Sequence, residues 1–258
     1  MTGEWLRQDG YAVRFEVGAT GARELARLGD VVVVVDVLSF STTVSVAMDR
    51  GMRVRPLADD SVAHDVPTAV RREAMDADHP WSLSPASIRS GPQVDVLALP
   101  SPNGARIAEA AATCGAVVFA GCLRNAHATA IAARRAARGT DPAGQRRRPE
   151  NAVLVMAAGE RWPDGTLRPA LEDLLGAGAI IDALVRSGVP IESCSPEARM
   201  ALHAWQAVDD LTGTLRGCVS GRELVERGYP HDIHIAAELD ASALAAHFTD
   251  GAFTAVIL

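Results

Sequence analysis

The 258-residue sequence is 48% hydrophobic but only 4% aromatic, so its core must be built from Ala, Val, Leu and Ile. This length allows one large α/β domain or two smaller ones. The net charge of −7 argues against a nucleic-acid-binding protein. No lysine occurs, which excludes a Walker lysine, a Schiff-base lysine and a lysine phosphate clamp. Any bound anion must therefore be held by arginine, by backbone N–H groups or by a metal ion.

The four cysteines are widely spaced and include no Cys-x-x-Cys pair. This spacing argues against structural zinc and against a disulfide framework, and it favours a reducing compartment. The first residues lack a basic head followed by an apolar run, so no signal peptide is expected. The five consecutive valines from residue 31 are too few to span a bilayer. We therefore expect a cytoplasmic protein with neither a membrane nor a nucleic-acid partner.

Apolar runs separated by small polar turns predict alternating strands and helices. In chain order, the predicted elements are a strand over 11–17, a helix over 22–28, a strand over 31–37, a helix over 42–50, strands over 53–57 and 94–99, a helix over 107–113, a strand over 116–120, a helix over 125–138, a strand over 152–157, a helix over 170–187 and a last strand in 251–258. This alternation predicts an α/β fold, layered α/β/α with a central mixed or mostly parallel sheet.

Two polar stretches look like surface connections. Residues 59–93 are Pro-rich and predict a variable loop region with at most one helix, near 67–75. Residues 138–150 contain an arginine triplet but indicate a solvated loop rather than an anion site. The sequence as a whole predicts a single α/β domain over 1–258, with two closely packed lobes as the alternative.

The valine run ends at Asp36, which is followed by Ser39, Ser41, Thr42 and Thr43. A carboxylate at the end of a buried strand is costly unless it is paired, hydrogen-bonded or bound to a metal. Because Ser41 and Thr42 could already cap the next helix, we favour a functional role for Asp36 over a capping role. Each hydroxyl taken alone indicates a cap, but together at a helix N-terminus they favour an anion.

Other strand-end turns carry polar residues with a structural and a functional interpretation. Asn103-Gly104 is a turn dipeptide, and Arg106 behind it either reaches an anion or faces water. Asn125 would cap a helix, and the acids Glu172-Asp173 would complement a helix dipole. Glycines 176 and 178 within a predicted helix indicate close packing, because each costs about 1 kcal/mol relative to alanine.

Carboxylates and hydroxyls at one sheet edge fit a hard divalent cation such as Mg²⁺, with an anionic substrate completing its shell. Since ligands of open α/β sheets bind beyond the carboxyl ends of the strands, the predicted substrate is a phosphate ester bound there. An Asp-x-Asp nucleophile is excluded because position 38 is Leu.

The segments DVLSFSTT, SPNGA, GCLRNA, AAGE and LEDLLGAGAIIDAL occur in the order seen in the 2-phosphosulfolactate phosphatase family, and SGRELVERGYPHDIHIAAELD is similar to its closing segment. The resemblance covers most of the chain, from about residue 31 to residue 240. It implies a magnesium-dependent acid phosphatase of α/β fold that hydrolyses 2-phospho-3-sulfolactate, a step toward coenzyme M. The family usually has Arg where this chain has Ser39, and its loss weakens the expected anion clamp unless Arg106, Arg124 or Arg222 substitutes.

By this resemblance and the residue types, we predict a phosphatase of a small phosphorylated 2-hydroxy acid. Asp36 and Glu172 would be catalytic, with Glu172 as general base, and Asp36, Glu160 and Asp173 would bind Mg²⁺. The predicted substrate-binding residues are Ser41, Thr42, Thr43, Asn103, Gly104, Arg106 and Asn125. Attack by water and a phospho-aspartyl intermediate on Asp36 remain alternatives. A non-catalytic homologue that binds a small anion is the alternative function, and a homodimer is the expected assembly.

Overall fold

The computed structural model describes residues 4–59, 61–139 and 152–257, so most of the predicted loop over 138–150 lies outside the described residues. Eight strands form one mixed sheet in the order β1-β6-β2-β5-β9-β10-β3-β4. These strands are β1 (Val13–Val17), β2 (Val31–Val35), β3 (Arg53–Leu57), β4 (Val96–Pro100), β5 (Val117–Gly121), β6 (Val153–Ala157), β9 (Ala245–Thr249) and β10 (Ala252–Val256). A separate two-stranded ribbon pairs β7 (Glu160–Arg161) with β8 (Leu167–Arg168).

Helices flank the sheet on both faces. They are α1 (Gly18–Leu25), α2 (Phe40–Asp49), α3 (Pro85–Ser90), α4 (Gly104–Thr113), α5 (Ala126–Arg138), α6 (Leu171–Arg186), α7 (Pro196–Gln206), α8 (Leu211–Gly217), α9 (Val219–Glu226) and α10 (Pro230–Ala236). The layered α/β prediction is therefore confirmed. No helix among the described ranges has the length and apolarity needed to cross a membrane.

The valine strand β2 lies inside the parallel part of the sheet, between β6 and β5. All five of its valines are buried, as expected for a strand covered by helices on both faces. Val31, Val33 and Val35 belong to one core, and Val32 and Val34 to the other. Asp36 follows directly at the carboxyl end of this buried strand.

Helix α2 is buried along nearly its whole length, from Phe40 to Met48. It contacts β3, β5, β9 and β10, and also α3 and α4. Although four strands separate β4 from β2 in the sheet, the turn after β4 returns to Asp36, where the Gly104 N–H donates to the Asp36 carboxylate at 3.0 Å. The start of α2 is therefore enclosed by turns from opposite parts of the sheet.

Two sequence predictions about local structure were wrong or incomplete. No helix forms near 67–75, where Thr68 and Val70 make isolated β-bridges and only a 3₁₀ turn follows at Arg72–Ala74. The helix of this region is instead α3, which begins at Pro85, where the fixed φ of proline suits a first helical turn. The sequence analysis also left the four short helices α7 to α10 unassigned.

The prediction that glycines mark close packing in α6 is confirmed. A Cβ on Gly176 would lie 2.6 Å from the Val37 side chain, and one on Gly178 would lie 2.2 Å from the Ala201 carbonyl oxygen in α7. These contacts draw the start of α6 against β2 and its body against α7. They thereby hold Glu172 and Asp173 close to the end of the valine strand.

Candidate active site

Four carboxylates converge where β2, β6 and α6 meet. Asp36 follows β2, Glu160 lies in β7 just after β6, and Glu172 and Asp173 lie in the first turn of α6. Asp173 links these elements, because one of its oxygens accepts the Val37 N–H at 2.7 Å and the other accepts the Gly159 N–H at 2.8 Å. The structure therefore brings together all four acids that the sequence predicted.

Asp36 is 7% exposed and is held by backbone donors on both of its oxygens. Its Oδ1 accepts the Phe40 N–H and its Oδ2 accepts the Gly104 N–H, each at 3.0 Å. Burial raises the pKa of Asp36 in spite of these hydrogen bonds, and the negative charge of Glu172 raises it further. A Cβ on Gly104 would lie 2.4 Å from the Phe40 ring, so only glycine allows this close approach.

Asp173 and Glu160 share this electrostatic strain. Burial raises the pKa of Asp173 well above its usual value, and the charges of Asp36 and Glu172 add to the effect. Burial, followed by the charges of Asp36 and Glu172, raises the pKa of Glu160 to about 7, although Arg168 acts in the opposite direction. The Asn103 amide donates to Glu160 Oε2 at 3.0 Å and so connects the turn after β4 to this cluster.

Glu172 is 2% exposed, and one of its neighbours is a thiol. Cys218 Sγ lies 3.3 Å from Glu172 Oε2 and 3.1 Å from the Leu215 carbonyl oxygen, so its single proton has two acceptors within reach. Burial, with the charge of Glu172 next in importance, raises the pKa of Cys218 to about 12, so this thiol stays protonated and acts as a donor. The sequence analysis noted Cys218 only as an isolated cysteine and did not associate it with the acids.

The three predicted phosphate-binding hydroxyls are fully buried and are used within the protein. Ser41 Oγ donates to the Val34 carbonyl at 2.9 Å, Thr42 Oγ1 to the Val37 carbonyl at 2.7 Å and Thr43 Oγ1 to a carbonyl of the 59–93 segment, that of Leu83, at 3.1 Å. Each hydroxyl proton is thus committed to a backbone carbonyl. The hydroxyls fix the start of α2, and they have no proton left to offer a phosphate.

Two other predicted substrate-binding side chains lie away from the acids. Asn125 is fully buried, and its amide bonds to the backbone of Cys122, Ala120 and Leu244. Arg106 is exposed and donates to the Ala58 carbonyl at 3.0 Å. Of the predicted substrate-binding set, Asn103 and Gly104 are the members that contact a carboxylate of the cluster.

The cation beside Ser39 is one that the sequence analysis did not consider. Arg72, from the polar 59–93 segment, donates through Nη2 to Ser39 Oγ and through Nε to Asp232 at 3.1 Å. Arg124 is occupied by Asp49 and Glu238. The other two candidate substitutes, Arg106 and Arg222, are both exposed. The side chain that bonds to Ser39 Oγ is that of Arg72, whereas Arg106 donates to the Ala58 carbonyl.

Arg72 and Asp232 could not have been found by periodicity. The segment around Arg72 has no regular pattern, and its position depends on bonds to distant parts of the chain. Asp232 lies within GYPHDIHIAAELD, so the resemblance of that segment to the family was the only available signal. Arg168 was also missed, although it is buried beside Trp162, with its guanidinium 5.8 Å from the ring centre.

The chain matches the family described as 2-phosphosulpholactate phosphatase over residues 20–251. No curated protein is significantly similar to it. The matched region contains six of the eight strands of the large sheet, all but β1 and β10, and it contains the four converging acids and Arg72. The chain therefore belongs to the 2-phosphosulpholactate phosphatase family and is a phosphatase, a phosphoric monoester hydrolase.

Proposed function

We propose that this phosphatase requires Mg²⁺ and hydrolyses a small phosphorylated 2-hydroxy acid similar to 2-phosphosulfolactate. The observation that supports the metal requirement is the cluster of Asp36, Glu160, Glu172 and Asp173. Three of these acids have raised pKa values caused by burial and mutual repulsion. A bound cation would relieve this repulsion and keep the acids ionised.

The donor chemistry fits Mg²⁺, because carboxylate oxygens are the hard ligands that this ion prefers. In the part of the chain that the structure describes, no group of three or more His, Cys, Asp or Glu side chains forms a ready-made metal site. The oxygens of Asp36 and Asp173 each accept one backbone N–H, which leaves a second lone pair on each. Asp36, Asp173 and Glu160 are therefore the proposed ligands. When bound, the ion would supply Lewis-acid polarisation of the phosphoryl group.

The protein groups would orient the reactants around this centre. Glu172 is the proposed general base, and the Cys218 thiol holds one of its oxygens, which leaves the other oxygen to accept a proton from water. Asn103 positions Glu160 and could exchange that bond for a phosphoryl oxygen. Asp36, fixed by two N–H groups, would be the nucleophile in the alternative phospho-aspartyl mechanism.

The test is phosphate release from 2-phosphosulfolactate, 2-phospholactate and phosphoglycolate, with Mg²⁺ and with chelator, for wild type and Asp36→Asn. We expect turnover that depends on Mg²⁺ and that falls by at least about 10²-fold in the variant. Turnover that persists in chelator would refute the metal requirement. Absence of turnover on all three esters would refute the substrate class and favour a non-catalytic anion-binding homologue.

The anion-binding alternative is supported by one observation. Backbone N–H groups bond to both oxygens of Asp36 and both of Asp173, so these acids have a role in holding the turns of the fold together that requires no catalysis. Equilibrium binding of inorganic phosphate that is unaffected by Mg²⁺, together with no turnover, is the result expected from that alternative.

A further inference from the structure

We propose that Arg72 binds the non-reacting acidic group of the substrate, and that Asp232 is the residue that positions it. This inference rests on the proposed function. It adds a specificity-determining residue from the 59–93 segment, a region that the sequence indicated only as a variable loop. Four steps support it: the restraint of the side chain, the free donor atom, the cavity beside it and the distribution of charge.

Arg72 is held as rigidly as a binding residue needs to be. Its side chain is 9% exposed, and that of Asp232 is 1% exposed. Asp232 accepts Nε at 3.1 Å, while the Leu83 carbonyl accepts Nη2 at 3.1 Å together with Ser39 Oγ. The guanidinium also lies 5.5 Å from the centre of the Tyr229 ring. These contacts fix the plane of the guanidinium, so little side-chain entropy would be lost on binding an anion.

Asp232 is itself fixed by contacts other than Arg72. Its Oδ1 accepts the Ser84 hydroxyl at 2.5 Å and the Ala86 N–H at 3.4 Å. Because Oδ1 is held by these two donors, Oδ2 is oriented toward Arg72 Nε. Within the described chain, Nη1 of Arg72 makes no hydrogen bond, so the fork retains a terminal donor beside the N-terminus of α2.

Arg72 lines a cavity of about 1020 Å³, and its bond to Ser39 Oγ connects this cavity to the residue that precedes α2. The cavity lies between the 59–83 segment and the turn after β4, with Leu83, Pro102 and Arg106 among its lining residues. Pro102 lines the cavity and the next residue, Asn103, donates to Glu160, so the turn after β4 borders both the cavity and the carboxylate cluster. A small phosphate ester could therefore place its phosphoryl group at the acids and its remaining part in the cavity.

The two ends of this arrangement differ in charge. The phosphoryl end contains four carboxylates and suits a metal-bound phosphate. The cavity is lined by Arg72 and Arg106 and also by Asp59 and Glu73. The free Nη1 of Arg72 can donate a charge-assisted hydrogen bond to one oxygen of a carboxylate or sulfonate. Another arginine in the cavity, Arg227, is already paired with Glu73 and is largely exposed, so it would contribute little.

The experiment compares 2-phospholactate with isopropyl phosphate, in which a methyl group replaces the carboxylate. We expect Arg72→Ala and Arg72→Lys to lower kcat/KM for 2-phospholactate by about 10- to 100-fold, chiefly through KM, and to leave isopropyl phosphate nearly unchanged. Asp232→Asn should give a smaller loss in the same direction. Arg227→Ala is the matched control from the same cavity and should leave both substrates unchanged.

If Arg72 serves only as a structural cross-link, its substitution should lower kcat/KM equally for the two esters, and that result would overturn the proposal. Unchanged kcat/KM in Arg72→Lys would overturn it as well. If Arg72→Ala does not fold, Arg72→Lys decides, because it retains the charge while removing the fork. Equilibrium binding of 2-phospholactate in chelator separates this proposal from the proposed function. Binding that depends on Arg72 without any turnover would support the arginine and refute the enzyme assignment to this substrate class, whereas binding that is independent of Arg72 would refute the arginine alone.

Discussion

Replacing Glu160 with Gln should change how the stability of the metal-free protein depends on pH. Burial and the charges of Asp36 and Glu172 raise the pKa of Glu160 to about 7, compared with 4.5 for an ordinary glutamate. The folded protein therefore holds a proton on Glu160 more tightly than the unfolded chain does. The stabilisation is fully present below pH 4.5 and is lost as the pH rises through 7.

The size of the effect follows from this difference in pKa. Each pKa unit corresponds to about 1.4 kcal/mol, so the full change is about 3 kcal/mol, of which roughly 2–3 kcal/mol falls between about pH 5 and 8.5. Gln is isosteric with Glu and can still accept the Asn103 amide, which isolates the charge. The difference in unfolding free energy between Glu160→Gln and wild type should therefore move by that amount in favour of the variant as pH rises.

The assay is urea unfolding, followed by tryptophan fluorescence, of both proteins in chelator across this pH range. Glu109→Gln is the matched control, since Glu109 is exposed in α4, and its difference from wild type should stay constant. A Glu160→Gln difference that stays constant within about 0.5 kcal/mol would refute the claim that Glu160 is strained by burial and by its acidic neighbours.

Three further changes test other parts of the site. Adding millimolar Mg²⁺ at pH 8 should raise the Tm of wild type, because a ligand of the folded state stabilises it, and Asp173→Asn should remove most of this shift in a thermal scan. Cys218→Ser keeps a donor near Glu172 and should retain most of kcat. Cys218→Val removes this donor and should lower kcat about 10-fold in a phosphate-release assay. Equal effects of the two variants would show that the thiol serves packing alone. Gly104→Ala places a Cβ 2.9 Å from Asp36 Oδ2 and should cost about 1–3 kcal/mol in urea unfolding, and an unchanged midpoint would contradict the close approach.

The valine run predicted the strand and the placement of Asp36 because burial on both faces leaves a pattern that can be read locally. The same holds for Glu172 and Asp173, which the predicted helix start placed correctly at the beginning of α6. The two glycines of α6 carried a local signal as well, since a residue that weakens a helix needs a packing reason. These features depend on short stretches of chain and on one rule of sheet topology.

The predicted roles of the hydroxyls depended on a boundary that the sequence placed two residues too late. With α2 beginning at Phe40 rather than at Thr42, Asp36 accepts the first N–H, and Ser41 and Thr42 turn their hydroxyls to carbonyls of the preceding strand and turn. An N-cap prediction cannot distinguish these cases, because Ser and Thr bond equally well to backbone donors and acceptors. Because the start of α2 was predicted two residues too late, the hydroxyls were expected to bind phosphate, whereas they bond to backbone carbonyls within the protein.

Arg72 shows the other limit of sequence reasoning. Its role depends on Asp232, 160 residues away, and on the Leu83 carbonyl, which also accepts Thr43 of α2. Cross-links between segments of irregular structure leave no periodicity, so the polar composition of 59–93 could indicate only a loop. An arginine does lie beside Ser39, but it belongs to the 59–93 segment, whose composition predicted only a loop.

The distribution of charge gives the site a direction. At one end, buried acids repel one another, and relief of that repulsion favours a cation and the phosphoryl group that accompanies it. At the other end, Arg72 is held with one donor still available, and that arrangement favours an acidic group which the reaction does not alter. A phosphate ester without a second acidic group would satisfy the first end and would forgo the charge-assisted hydrogen bond that the free Nη1 of Arg72 can donate. If Arg72 binds the substrate as proposed, substrates that carry two acidic groups would be favoured, and residues of the 59–93 segment, rather than of the sheet, would determine which second acid fits.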